Sequence, residues 1–255
     1  MNRLVKLIYP GLTLVLAFLF WYFLVSVIKI PKYLLPMPGD VLHRISSDFS
    51  FLCSHAAITS FEALSGFFIS AVFGITLGAL LVMSPLLDKA LMPWLILSQT
   101  FPKIALAPLI VVWFGMGFAP KVGITMVMAF FPVVISSVVG FRSIEAEMLE
   151  LARSMRATPF QIFCLFRMPL ALPSIFSGLK VSVALSIVGA VIAEWVGADK
   201  GLGYLLLSAN GTLDTEMLFA VLAFLTVMGV IMYYSVELLE RFVIPWHVSI
   251  RLSEC

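Results

Sequence analysis

Long uncharged apolar stretches dominate the pattern of this chain. Four windows contain no Asp, Glu, Lys or Arg: Leu7 to Ile28, Ala63 to Met83, Val122 to Phe141 and Met217 to Val236. Each approaches or exceeds the roughly 20 residues that an α-helix needs to cross a bilayer core. Apolar side chains fall on every face, whereas membrane-barrel strands would alternate polar and apolar positions. A backbone in lipid must satisfy its own hydrogen bonds, so helices are the predicted elements. Two further regions read as spans with irregularities. The stretch from Ala90 to Pro120 is too long for one straight helix and too short for two, and it carries Lys103 beside Pro102 with Pro108 further on. It predicts one broken or kinked helix. The stretch from about Phe176 to Val196 holds Lys180 near one end, where its stem can snorkel to the interface, and Glu194 near the other. The expected fold class is an all-α integral membrane protein with six transmembrane helices. One transmembrane domain, 1–255, would have spans near 7–28, 63–83, 91–114, 122–141, 176–196 and 217–236.

Six spans put both termini on one side, and the loop charges indicate which. With the amino terminus inside, Arg3, Lys6, Lys89, Arg142, Arg153, Arg156, Arg167, Arg241 and Arg251 are cytoplasmic, while Lys29, Lys32, Arg44, Lys121 and Lys200 are external. Nine against five favours cytoplasmic termini, because Lys and Arg concentrate on the cytoplasmic side. Cys53 would then lie outside, with Cys164 and Cys255 inside. The outer segment after the first span opens on the turn-forming Leu35-Pro36-Met37-Pro38-Gly39-Asp40 and continues with Val41, Ile45 and Phe49. That spacing predicts a short amphipathic helix on the membrane surface.

The inner segment, 142–174, carries more information. Ser143 can cap a helix, Glu145 and Glu147 suit its positive end, and Ile144, Met148, Leu151, Ala152 and Met155 form an apolar stripe. A second helix is predicted to start at Thr158-Pro159, an N-cap followed by a residue preorganised for the first turn, and to run to about Arg167. Its residues Phe160, Ile162, Phe163, Cys164, Leu165 and Phe166 are apolar nearly all round. At a membrane surface such a helix must be covered from both sides, and the chain's own spans can supply one. A protein partner on the other side is inferred, with a re-entrant corner of the bundle as the alternative.

Composition agrees with immersion in lipid: of 255 residues, 62% are hydrophobic and 12% charged, against about 25% charged in soluble domains. A mean hydropathy of +1.10 over the whole length excludes a soluble domain on a single anchor. The net charge of +2 implies no nucleic-acid partner. Three widely separated cysteines imply no disulfide framework, and His43, His55 and His247 form no metal-ligand set. There is no G-x-x-x-x-G-K-[ST] stretch to cradle a nucleotide and no G-x-S-x-G elbow, so the chain is not expected to be an enzyme or to hold a cofactor.

Four residues are candidates for a translocation pathway. Lys103 sits beside a predicted helix break near mid-membrane, where a charge is costly enough to face a partner, a cavity or a pathway. Its alternatives are pairing with a structural carboxylate or reaching an interface. Glu194 either lines a gate or bonds backbone groups near Gly201. Met128 and Phe131 could line the same route, although such residues more often pack or meet lipid. Gly66, Ser70, Gly74 and Gly78 recur every four residues, a small-residue stripe that lets another helix approach closely, most simply within one subunit.

The run Glu150-Leu151-Ala152-Arg153-Ser154-Met155-Arg156-Ala157, followed by Phe163, Leu170, Leu172 and Pro173, resembles the EAA loop of binding-protein-dependent ABC importer permeases. It falls between the fourth and fifth predicted spans. Leu35-Pro36-Met37-Pro38, Trp113-Phe114-Gly115, Ala193-Glu194 and Gly201-Leu202-Gly203-Tyr204 extend the likeness to the nitrate, sulfonate, taurine and pyrimidine-precursor subfamily. The resemblance implies a type I ABC importer permease fold in a bacterial inner membrane and a second permease copy, as a homodimer. It further implies two ATP-binding cassette subunits that hold the ATP and Mg, and an external solute-binding protein. Glu150, Ala152, Arg156, Ala157, Phe160 and Phe163 would couple to the ATPase, and the cargo would be a small organic anion or a heterocyclic vitamin precursor. Arg156 departs from the pattern, which has glycine there. Arginine would be strained in a left-handed turn, so the break between the loop helices is expected to be made another way. A secondary carrier or channel working without an ATPase is the alternative function.

Overall fold

The computed structural model describes residues 3–246, so Cys255, His247 and Arg251, used above for sidedness or as candidate ligands, lie outside the described residues. The helices are α1 (Arg3–Ile28), α2 (Pro38–Ser47), α3 (Phe49–Met83), α4 (Pro85–Thr100), α5 (Leu106–Phe114), α6 (Phe118–Arg142), α7 (Ala146–Ser154), α8 (Pro159–Ile162), α9 (Met168–Gly197), α10 (Leu202–Thr212) and α11 (Thr215–Val243). No strand occurs among the described residues. Five stretches are long and apolar enough to cross a membrane, and the pair formed by α4 and the Lys103–Phe114 segment, bent by 85°, makes up to six.

Close approach through small residues organises the centre. A Cβ on Gly66 would lie 2.4 Å from Thr125 Cγ2, one on Gly74 2.9 Å from Val133, and one on Gly78 2.6 Å from Ser137. The stripe on α3 therefore faces α6 of the same chain, and the constant offset between contacting residues means that the two helices run parallel. Ser70 reinforces the seam by donating to Met126 O at 2.9 Å. On its other side α6 meets α9 antiparallel, as shown by Gly178 against Ser136 and Gly189 against Thr125. Ser182 Oγ donates to Ala129 O on this side at 2.7 Å. Since α3 and α6 run the same way, the connection through α4 and α5 must return across the bundle. The 85° bend is thus a broken span and not a loop that re-enters on one side. Pro102 makes the break, because it lacks an N–H and restricts Phe101 to extended backbone (φ −71, ψ 132).

Several expectations are corrected. Helix α3 begins at Phe49, well before the 63–83 window, because the charge that ended that window is neutralised: Glu62 accepts from Lys121 Nζ at 2.8 Å. Lys121 is accordingly buried and is not a loop cation. Lys180 does not snorkel but pairs with Glu240. Helix α2 does carry Val41 and Ile45 inward, while Phe49 stays exposed and touches Phe224 edge-on at 5.9 Å. Arg44 ties this region to the start of α11 through Asp214 at 2.9 Å. Helix α1 stands apart from the bundle, held near its end by Trp21, which donates to Pro36 O at 3.2 Å and packs on Phe219.

Candidate functional site

Three assemblies of side chains stand out, and the first is the loop after α6. Helix α7 is not capped by Ser143, which ends α6 and bonds back to Gly140 O; Glu145 takes the N-cap position. Of the expected stripe only Ala152 is buried, and Leu151 and Met155 are 60% and 72% exposed. The helix ends in a Schellman arrangement: Ala157 N donates to Ala152 O at 3.1 Å and Arg156 N to Arg153 O at 2.9 Å. This requires a left-handed residue, and Arg156 supplies it at φ 57. The expectation that arginine would force a different break is therefore wrong; two satisfied carbonyls hold the strained residue in place. Arg156→Gly should relieve that strain and raise the stability of the protein by about 1 kcal/mol, read as a higher thermal midpoint in detergent. A lowered midpoint would mean that the arginine side chain itself holds the loop.

Thr158 caps α8 in a reciprocal capping box with Gln161. The helix does not stop at Arg167 as expected: a π turn over Phe163–Arg167 leads without interruption into α9. The wider turn suits Pro169, which has no N–H to donate and whose ring would collide with the carbonyl of Leu165 in a regular helix. Phe163 is half-buried and packs on Phe141 with ring centroids 5.1 Å apart. Phe160 and Leu165, both 68% exposed, point away from the bundle with Leu151 and Met155. Glu150 is exposed beside them and Ala157 lies half-buried at the turn.

The second assembly is a groove at the break between α4 and α5. Lys103 sits in a single 3₁₀ turn, Lys103–Ala105, with its Nζ 4.8 Å from the centre of the Phe131 ring. Among the described residues it makes no ion pair or hydrogen bond, so the structural-carboxylate alternative is not what the geometry offers. Two cavities share Lys103 and Phe131. One, of about 330 Å³, is lined by Trp94, Phe101 and Leu106, and the other, of about 360 Å³, by Gln99, Met128 and Leu185. Lys103, Met128 and Phe131 are thus brought together, and Glu194 is not.

Glu194 belongs to the third assembly, at the opposite end of α9. Helix α10 starts there, and its first N–H groups, as in every helix, have no acceptor within the helix itself. Thr59 Oγ accepts from Leu202 N at 2.8 Å and donates to Glu194 Oε1 at 2.7 Å. Glu194 Oε2 accepts from Gly203 N and, at 3.3 Å, from Tyr204 N. The carboxylate lies where a helix N-terminus favours negative charge. Gly201 is required: its φ is +114, and a Cβ would fall 2.2 Å from the Glu194 carboxylate. His55 Nδ1 faces both the N–H and the carbonyl of Gly201, at 3.0 and 3.1 Å, and can serve one at a time. Sequence reasoning missed His55, Thr59 and Glu62. Their spacing extends the Gly66 stripe backwards along one face of α3, and that periodicity is the signal that could have found them.

Comparison with known proteins agrees with this geometry. Residues 70–245 match the model of the family described as the binding-protein-dependent transport system inner membrane component. The riboflavin transport system permease protein RibX of Chloroflexus aurantiacus is 37% identical over 93% of this chain and 89% of its own. The formylaminopyrimidine transport permease protein ThiX of Halalkalibacterium halodurans is 33% identical over 96% of this chain and 98% of its own. An inward-facing structure of the MetNI methionine ABC transporter superposes with a TM-score of 0.65, covering 75% of this chain and 95% of that one, and at 19% identity it supports the fold. With an all-helical bundle, a broken span and an exposed loop between α6 and α9, the chain belongs to the binding-protein-dependent inner membrane components and is an ABC importer permease.

Proposed function

We propose that two copies of this chain form a pathway along their shared axis, with two ATPase subunits docked on Glu145–Leu165 of each and an external solute-binding protein at the far end. ATP and Mg belong to the ATPase subunits, and both termini and the loop are cytoplasmic. ATPase closure moves the loop as a rigid body and swings the spans between inward-open and outward-open arrangements. The cargo is a small solute, either an organic anion or a heterocyclic precursor of the kind named for the two relatives.

One observation carries the reading: Leu151, Met155, Phe160 and Leu165 are all largely exposed within the short segment that joins α6 to α9. A patch of this kind at a water-facing position marks a protein contact. Cys164, exposed within it, is a ready probe, and Cys53 on α3 lies at the opposite end. An impermeant maleimide should reach Cys53 from outside intact cells. In inverted vesicles it should reach Cys164 only after the ATPase has been stripped away. Labelling of Cys164 from outside would overturn the orientation, and labelling indifferent to the ATPase would overturn the docking face.

A further inference from the structure

The groove around Lys103 has features that the pathway reading does not require. Phe131 lies near the midpoint of α6, so the ammonium above it is held at about the middle of the membrane. A charge at that depth is expensive and is normally compensated. The lysines of α6 and α9 are compensated: Lys121 holds Glu62 and Lys180 holds Glu240. Lys103 has only the face of an aromatic ring, and its three N–H donors reach no acceptor among the described residues.

The surroundings are selective. Trp94, Phe101 and Phe131 supply flat apolar surface around one lobe, and Met128 does so in the other, where Gln99 is the nearby amide. No carboxylate lines either lobe, and the Lys103 ammonium already occupies the Phe131 face and repels any second cation. Each lobe lies at the small end of the usual 300–1,000 Å³ range for ligand pockets, which are mostly apolar with a few polar groups that set orientation.

We propose that this groove is a solute-binding site within the permease itself, built for a planar ring whose anionic or hydrogen-bond-accepting edge meets Lys103 while its faces lie against Phe131 and Met128. The site rests on the reading that the groove faces the pathway, and it chooses between the two cargo classes left open above. A ring with an acceptor edge fits; an aliphatic anion would use the lysine and leave the aromatic surface idle, and a cation is rejected.

Labelling of an introduced thiol separates the site from the pathway. Met128→Cys is made in a chain whose three native cysteines are replaced by serine. The assembled complex in nanodiscs is treated with methyl methanethiosulfonate, and modification is followed by mass spectrometry. Labelling without any added solute tests water access, and hence the pathway reading. Nicotinate, an aromatic carboxylate, should then slow the reaction by 1 + [L]/Kd, about fivefold at four times its dissociation constant. Cyclohexanecarboxylate, with the same charge and no planar ring, should protect less, and choline not at all. Lys103→Met should abolish nicotinate protection while labelling continues, and Phe131→Leu should narrow the gap between the two carboxylates. A thiol that labels readily without nicotinate protection, or with equal protection by both carboxylates, would overturn the ring-specific site and leave the pathway standing. A thiol that never labels would overturn both.

Discussion

Phe160→Asp is expected to release the ATPase subunits from the permease. Phe160 stands 68% exposed on the loop face, and on docking it would enter a dry contact where a carboxylate has no partner. Central aromatic anchors of interfaces commonly contribute about 2 kcal/mol or more, roughly a thirtyfold loss of affinity when removed. The permease should still fold, because the side chain touches little of its own chain. ATPase copurification should therefore collapse while the thermal midpoint of the isolated permease stays put. Phe163→Asp is the informative contrast. It would place a carboxylate against the fully buried Phe141, so instability of the permease itself should precede any loss of its partner. Undiminished ATPase recovery with Phe160→Asp would remove Phe160 from the interface.

Glu194→Ala should produce the largest loss of stability in the bundle. Its carboxylate satisfies Thr59 Oγ–H and the N–H groups of Gly203 and Tyr204 in a buried setting. Removing one partner of a buried charged network costs about 3–5 kcal/mol, because the donors left behind cannot reach water. Glu194→Gln keeps one carbonyl oxygen as an acceptor and should lose less than half as much. Unfolding midpoints in mixed micelles would rank the two, and digestion near Gly201 should become faster in the alanine variant. An alanine variant with the wild-type midpoint would mean that water already reaches this cluster and that the helix start is not held by the carboxylate.

Much of this architecture is legible in the residues because lipid leaves the backbone few choices. Uncharged windows must be helices, and Pro102 next to Lys103 marks a break whether or not the fold is known. What stayed hidden depends on pairing across the bundle. Glu62 and Lys121 each look like the end of a window, and only their contact lets α3 continue through the first of them. Phe160 and Phe163 are indistinguishable by pattern, since a helix apolar on every side does not say which face its own bundle claims; the ring of Phe141 decides it. Arg156 illustrates the opposite error. Intrinsic backbone preference argued against a left-handed arginine, but the two closing hydrogen bonds of the helix end outweigh a strain of about 1–2 kcal/mol. Ala193-Glu194 and Gly201-Leu202-Gly203 could each be recognised as motifs, yet that one caps the other follows only from the path of the chain between α9 and α10.

The central claim is that this chain moves solute only as the membrane part of an ATP-driven machine engaged through its α7–α8 loop. The direct measurement is uptake into proteoliposomes holding the permease, its ATPase and solute-loaded binding protein, with ATP either enclosed or omitted and with proton and sodium gradients either imposed or collapsed. Uptake should require enclosed ATP, survive ionophores and vanish with Phe160→Asp. Uptake by the permease alone, driven by an ion gradient and indifferent to ATP, would contradict the account.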